Sequence, residues 1–154
     1  MPDHGATPEG SYLPADAFTR LHFTRALTEL GPEAVPALSE AVDDASGETR
    51  EHLLIALTYA GDRDVLPEAR ALVTQAADPV VRMDVARALG KAGDQDAVAQ
   101  LEAALQDPYV VTAEDHLGTY TIYPVREQAA AALRALGVPV ERQDDAIFLI
   151  GEQP

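Results

Sequence analysis

Apolar positions recur along most of the chain at one spacing relative to an arginine. Counting from each arginine as zero, positions +3, +6, +7 and +10 are apolar, +6 and +7 are always Ala-Leu, and +11 is always Gly. At 3.6 residues per turn these apolar positions form one side of a helix, and a glycine is a common helix end. The pattern predicts four equivalent amphipathic helices. Their arginines and glycines are Arg20 and Gly31, Arg50 and Gly61, Arg82 and Gly93, and Arg126 and Gly137.

A second apolar set follows each of the first three glycines and predicts a second helix per repeat. Its members are Val35, Leu38 and Val42; Val65, Ala69 and Leu72; and Val98, Leu101 and Leu105. The glycines step by 30, 32 and 44 residues, and a fixed period in this range is typical of stacked helix pairs. We therefore predict an all-α fold, a short right-handed α-solenoid of stacked helix pairs.

The long last step results from an insertion at 109–123. Two runs rich in β-branched and aromatic residues flank a turn at 114–118, which predicts a β-hairpin between helices. The apolar run at 146–150 predicts a short C-terminal strand. Because an isolated hairpin is marginally stable in water, we expect this strand to pair with it. The predicted organisation is a flexible N-terminal arm at 1–13, helical repeats at 14–137 and a C-terminal tail at 138–154.

The third repeat resembles a known family. The segment 78–90, Asp-Pro-Val-Val-Arg-Met-Asp-Val-Ala-Arg-Ala-Leu-Gly, is similar to the HEAT-like repeat of the phycobilisome-lyase type. The segment 125–133 also matches, apart from a displaced Asp. The resemblance covers about residues 15–137. It implies an α-solenoid with first helices on the convex side and second helices on the concave side, and it leaves the activity open.

The charge balance narrows the choice of partners. Asp and Glu number 26 against 11 Lys and Arg, a formal net charge of −15. Binding to nucleic acid or to an anionic membrane surface relies on Lys and Arg, so the composition disfavours both. The composition favours a cationic protein partner. The sequence has no Cys, and we recognise neither a signal peptide nor a membrane span, so we expect a cytoplasmic location.

The arginine at position zero lies at the edge of the apolar stripe. An arginine there buries its stem and turns its guanidinium to nearby carboxylates or carbonyls. We predict a structural ladder between neighbouring repeats, with Asp16 and Asp78 capping their helices. The loops that begin Gly61-Asp62 and Gly93-Asp94 resemble fragments of a calcium loop but lack its later ligands. We expect their Asp residues to cap helices.

The chain offers little sign of catalytic or metal chemistry. His22 and His52 are both at position +2, where Asp84 and Gln128 continue the row. A zinc site needs more ligands, so a partly solvated polar row is expected. No phosphate-binding loop, nucleophile elbow or H-E-x-x-H motif is present. We therefore expect no catalytic residue, no metal site and no cofactor, and a protein without enzymatic activity.

The expected function is a scaffold that binds a protein through an acidic surface and the hairpin. The tyrosines of the hairpin either contact a partner or only pack the hairpin against the last helix. Alternative functions are a bilin lyase or chromophore chaperone, which the resemblance implies, and an immunity-type inhibitor of a cationic enzyme. A DNA-repair enzyme is disfavoured by the charge. The predicted partner-binding residues are Glu33, Glu40, Asp96, Gln100, Asp115, His116, Tyr120 and Tyr123.

Overall fold

The computed structural model describes residues 25–27, 29–143 and 146–149. The expected arm at 1–13 and the expected start of the first helix at 14 lie outside the described residues. Helical residues 25–27 fall within that expected helix. Six complete α-helices follow it in the described part of the chain: α1 (Val35–Asp44), α2 (Gly47–Tyr59), α3 (Leu66–Gln75), α4 (Pro79–Ala92), α5 (Val98–Ala104) and α6 (Pro124–Ala135).

The helices form two layers. Helices α2, α4 and α6 lie side by side, while α3 packs against α4 and α5, and α5 against α6. Helix α1 packs on α2 as the second helix of the preceding repeat. The main core lies between the layers, where Leu89, Leu101 and Leu133 are fully buried. The predicted all-α stack of helix pairs is confirmed. Throughout the described residues, every helix is too short or too polar to cross a membrane.

One backbone motif ends the first helix in the repeats of Gly61, Gly93 and Gly137 and explains these glycines. At Gly93, φ is 70°, in the left-handed region that glycine adopts without steric cost. The amide of the next residue, Asp94, then turns back and donates to the carbonyl of Leu89 at 3.2 Å. The same bond links residue +12 to residue +7 in the repeats of Gly61 and Gly137. This closure satisfies a carbonyl that the helix end leaves free.

The insertion is an antiparallel hairpin of β1 (Val111–Asp115) and β2 (Gly118–Ile122), as predicted. A C-terminal strand, β4 (Ala146–Leu149), is also present, but it pairs with β3 (Val140–Gln143) in a separate two-stranded sheet. The expectation that it pairs with the inserted hairpin is therefore wrong. Strand β3 follows α6 closely and leads into β4 across two residues, so this local pairing closes a far shorter loop.

Candidate protein-binding surface

The arginines at position zero join neighbouring repeats, as predicted for those within the described residues. Each donates to a carbonyl in the last turn of the preceding second helix or just after it, where fewer carbonyls have a partner within the helix. The pairs are Arg50 Nη1 with the Val42 carbonyl, Arg82 Nη1 with the Ala76 carbonyl at 2.8 Å, and Arg126 Nε with the Asp107 carbonyl at 2.7 Å. The remaining arginine of the row, Arg20, lies outside the described residues.

Asp107 anchors the root of the inserted hairpin. Its carboxylate accepts two hydrogen bonds from Arg82, at 2.7 Å from Nε and 3.1 Å from Nη2. One carboxylate oxygen also accepts the Tyr109 amide at 2.9 Å, while the backbone carbonyl accepts Arg126. Helices α4 and α6, the first helices before and after the insertion, are thus tied to one residue. This arrangement lets the stack continue although 15 residues of hairpin come between its helices.

A second set of contacts between repeats was not predicted. Arg70 on α3 forms a bidentate pair with Asp94 of the next repeat, at 2.6 and 2.7 Å, and these bonds raise the pKa of Arg70. The expectation that Asp94 caps a helix is therefore wrong, because its carboxylate accepts hydrogen bonds from Arg70 and none from the amides of the helix that follows. Ser39 makes the corresponding contact to Asp62 at 3.3 Å. Asp78 does cap α4, accepting the Val80 amide at 2.9 Å.

The predicted acidic residues lie along the second helices and the turns before them. Glu33 is exposed in the 3₁₀ turn Pro32–Ala34, and Glu40 is exposed on α1. Asp96 is exposed in the equivalent turn Gln95–Ala97, with one oxygen 3.3 Å from Arg70. Gln100 was expected to face outward, but it is half-buried on α5. Its Oε1 is buried without a hydrogen-bond partner.

The tyrosines of the hairpin divide between the two predicted roles. Tyr109 packs against the main core. The ring of Tyr123 carries the Arg126 guanidinium 4.0 Å from its centroid, a cation–π contact at the base of the hairpin. Tyr120 lies further along β2 and is 45% exposed. Asp115 and His116 are exposed at the tip, where Asp115 accepts the Leu117 amide at 2.7 Å.

Exposed apolar surface is concentrated on the hairpin. Among the described residues, four large hydrophobic side chains are exposed: Leu30, Val110, Leu117 and Tyr120. Three of the four belong to the insertion, and Leu117 at its tip is 85% exposed. We did not predict Val110 and Leu117 as surface residues. The available signal was the position of Leu117 in the turn between two strands, where a side chain has few neighbours.

Two members of the row at position +2 are buried, contrary to the expected partly solvated row, while Gln128 is half-buried. His52 is 5% exposed and has a ring nitrogen 3.4 Å from Glu48, while Asp84 is 3% exposed. Burial, opposed by Arg87, raises the pKa of Asp84 to about 6, and one of its oxygens has no hydrogen-bond partner. His22 lies outside the described residues. Among the residues that are described, no three His, Cys, Asp or Glu side chains are grouped to hold a metal ion.

Comparison with known proteins identifies the repeat and corrects one expectation. The chain is 36% identical over 87 residues to a protein named deoxyhypusine hydroxylase from Drosophila melanogaster. The match covers 54% of this chain and only 28% of that protein. No solved structure matches significantly. Because the relative is named as an enzyme, the expectation of a protein without enzymatic activity is contradicted.

The family assignment depends on the repeat itself. The sequence pattern of HEAT repeats matches residues 35–118, from the first residue of α1 to the first residue of β2. This range is more than half of the chain, and it spans two first helices, three second helices and the ladder contacts between them. The chain belongs to the HEAT-repeat family.

Proposed function

We propose that this HEAT-repeat chain binds a cationic protein through the acidic side of its second helices and through the inserted hairpin. The observation that carries the proposal is the hairpin, which combines exposed Leu117 and Tyr120 with the exposed carboxylates of Glu114 and Asp115. Exposed apolar groups beside charges of one sign are typical of a protein interface with a polar rim. The segment 109–123 contains no Lys or Arg to neutralise these carboxylates.

The charges along the second helices divide into internal and available ones. Asp94 and Asp107 are paired with Arg70 and Arg82 within the stack, so they contribute little outward field. Glu33 and Glu40 are exposed and make no ion pair with any described residue. With a net charge of −15, such a surface would steer a cationic protein towards it and accelerate association.

The proposal is tested by association kinetics with the protein partner recovered by affinity purification. Reversing the charge at Glu33, Glu40 and Asp96 should lower the association rate by at least about tenfold at low ionic strength, with little change in dissociation. A matched control reverses Glu141, which is exposed on β3. An acidic partner, or an association rate that salt and these substitutions leave unchanged, would contradict the proposal.

A second candidate function follows from the relative named deoxyhypusine hydroxylase. The chain spans 28% of the length of that protein, so hydroxylase activity is a proposal for this chain and not a finding. The two functions are compatible, because an enzyme that acts on a protein must also bind it. Incubating this chain with a protein that contains deoxyhypusine, followed by mass spectrometry, tests the activity. Conversion by the chain alone would support it, and no conversion beyond the enzyme-free control would contradict it.

Pigment binding and enzyme inhibition are proposals with tests of their own. Bilin lyase or chaperone activity would require a change in pigment absorbance when the chain is added. An immunity-type inhibitor is a special case of binding to a cationic protein, and it would require that the partner be an enzyme that loses activity on binding.

A further inference from the structure

The inserted hairpin has edges of an unusual kind. Within the described residues, β1 and β2 pair only with each other, across five consecutive residue pairs without a bulge. Natural edge strands are generally protected against further pairing by charged side chains, especially Lys, by Pro, by bulges or by a covering element. Neither strand contains Lys or Pro, and no other described element makes more than slight contact with either one. The charges of β1 are the carboxylates of Glu114 and Asp115, which repel an acidic strand and attract a basic one. The hairpin therefore presents backbone that could accept a strand of opposite charge.

The register determines which backbone groups point outward. Asp115 and Gly118 flank a two-residue turn, so they form a hydrogen-bonded pair, and such pairs alternate along an antiparallel ladder. Thr112 and Glu114 in β1 consequently direct their amides and carbonyls away from β2. In β2, Thr119 and Thr121 do the same on the opposite edge. Each edge thus offers two residues with unpaired donors and acceptors.

The two edges differ in charge and exposure. On β1, Thr112 and Glu114 are exposed, and Val110 just before the strand is 47% exposed. On β2, Thr119 is exposed, Thr121 and Ile122 are half-buried, and the strand carries no charge. Both outward-directed residues of β1 are exposed, against one of the two on β2. The β1 edge is also the one with a carboxylate that nothing in the described chain neutralises.

We propose that the β1 edge takes up an extended segment of a cationic protein as a third strand. This inference rests on the proposed function and names how the partner binds. Strand addition obtains affinity from main-chain hydrogen bonds and specificity from alternate side chains. A third strand would also relieve the marginal stability of an isolated two-stranded hairpin.

The side chains of the hairpin specify the pattern of the incoming segment. A residue opposite Glu114 would be Lys or Arg, since opposite charges across a strand pair are favourable. Ala113 lies on the other face, paired with Tyr120. Because Ala113 is small, a larger apolar side chain opposite it can extend over the methyl group towards the exposed ring of Tyr120. The expected segment therefore alternates basic and apolar residues.

A second copy of this chain is a poorer occupant for the same edge. Two copies with a net charge of −15 each repel one another at ordinary ionic strength. Antiparallel pairing of two β1 strands would also bring the Glu114 and Asp115 carboxylates of the two copies close together, where they repel. Charge complementarity thus favours a basic partner over self-association.

The test uses the full chain and a labelled nine-residue peptide of alternating Lys and Val, with a Glu–Val peptide of the same length as control. Fluorescence anisotropy should show binding of the Lys–Val peptide only. The matched protein variants are Thr112→Pro and Thr121→Pro. These threonines lie directly opposite each other, and each substitution removes one outward-directed amide from its own edge. Thr112→Pro should weaken binding at least about tenfold, and Thr121→Pro should change it less than about threefold.

A second measurement leaves the protein unchanged, in case a proline variant fails to form the hairpin. Peptides are N-methylated at alternate residues, in one phase at the odd positions and in the other phase at the even positions. Each phase blocks hydrogen bonding along one side of the strand only. One phase should retain binding and the other should lose it. If both phases bind equally, or if Thr121→Pro is the damaging variant, the β1 edge is not the site.

The outcomes separate this inference from the proposed function. One outcome is binding of the Lys–Val peptide that depends on salt but is unaffected by either proline substitution and by N-methylation in either phase. That result would overturn strand addition and leave the acidic surface as the binding site. Equal binding of the Glu–Val peptide would overturn the charge complementarity. No binding of either peptide would overturn strand addition, and the partner kinetics described above would then decide the proposed function. Self-association that Thr112→Pro abolishes would assign the edge to a second copy.

Discussion

Gly90 on α4 lies against Ala132 on α6 so closely that no side chain fits between the two helices. A Cβ added at Gly90 would stand 2.8 Å from the Cα of Ala132 and 2.9 Å from its Cβ. The contact is between backbone and a methyl group, which cannot rotate away. These small residues set the distance between α4 and α6, and therefore the position of the part of the chain that follows the hairpin.

Gly90→Ala should destabilise the protein although alanine favours helices. The methyl group would force α4 and α6 apart, at a cost of about 1–3 kcal/mol in the free energy of unfolding. Chemical denaturation measures this change. Adding Ala132→Gly to Gly90→Ala should recover part of the loss, since the two sites are in contact and their effects are not additive. Equal stability of Gly90→Ala and the native chain would contradict this account of the helix contact.

Arg82→Ala should have a large effect on stability. The Arg82–Asp107 pair is nearly buried, with side chains 12% and 7% exposed, so the substitution leaves a buried carboxylate without its partner. We expect a loss of about 3 kcal/mol. The exposed Glu68 that pairs with Arg50 provides the control, and Glu68→Ala should cost about 1 kcal/mol or less. Similar losses in the two variants would show that Asp107 does not depend on Arg82.

Asp84 should make stability depend on pH. Its folded pKa of about 6 lies above the ordinary value of 3.8 because burial disfavours the charged form. The folded state then binds more protons between these two values, so stability falls as pH rises through this window and stays lowered above it. Asp84→Asn removes the charge and should stabilise the protein by about 1–3 kcal/mol near pH 8, with little effect near pH 4. Denaturation curves across this range measure it. A difference between the two proteins that does not vary with pH would contradict the assignment.

Much of the helical stack could be predicted because the same packing contacts recur at the same positions of each repeat. The Ala-Leu pairs are where the helices pack, and the glycine marks the backbone closure seen at Gly93. The arginine ladder was predictable for the same reason, since Arg50, Arg82 and Arg126 hold one position in the repeat. The inserted hairpin was evident from its β-branched runs and from the interruption of the period.

The remaining contacts depend on single residues and leave no periodic signal. Arg70 pairs with Asp94, yet the equivalent of Arg70 is Ser39 in the preceding repeat and Glu102 in the following one. The burial of Asp84 depends on neighbouring helices and not on its own helical position. Strand β3 pairs with β4 because the two strands follow each other closely along the chain after α6. The sequence pattern did not predict β3, because most of its residues are polar. Site residues such as Gln100 were misjudged for the same reason, because exposure at the edge of a stripe is decided by the adjoining repeat.

Removal of the hairpin tests most directly whether it is the binding element of this HEAT-repeat protein. The variant replaces 111–122 by a two-residue Gly-Ser turn and keeps Tyr109 and Tyr123, which contact the core and Arg126. Circular dichroism and isothermal titration calorimetry with the Lys–Val peptide are measured on the same sample. We predict cooperative melting with native helical content and affinity at least about tenfold weaker. Unchanged affinity in a cooperatively folded variant would contradict the account.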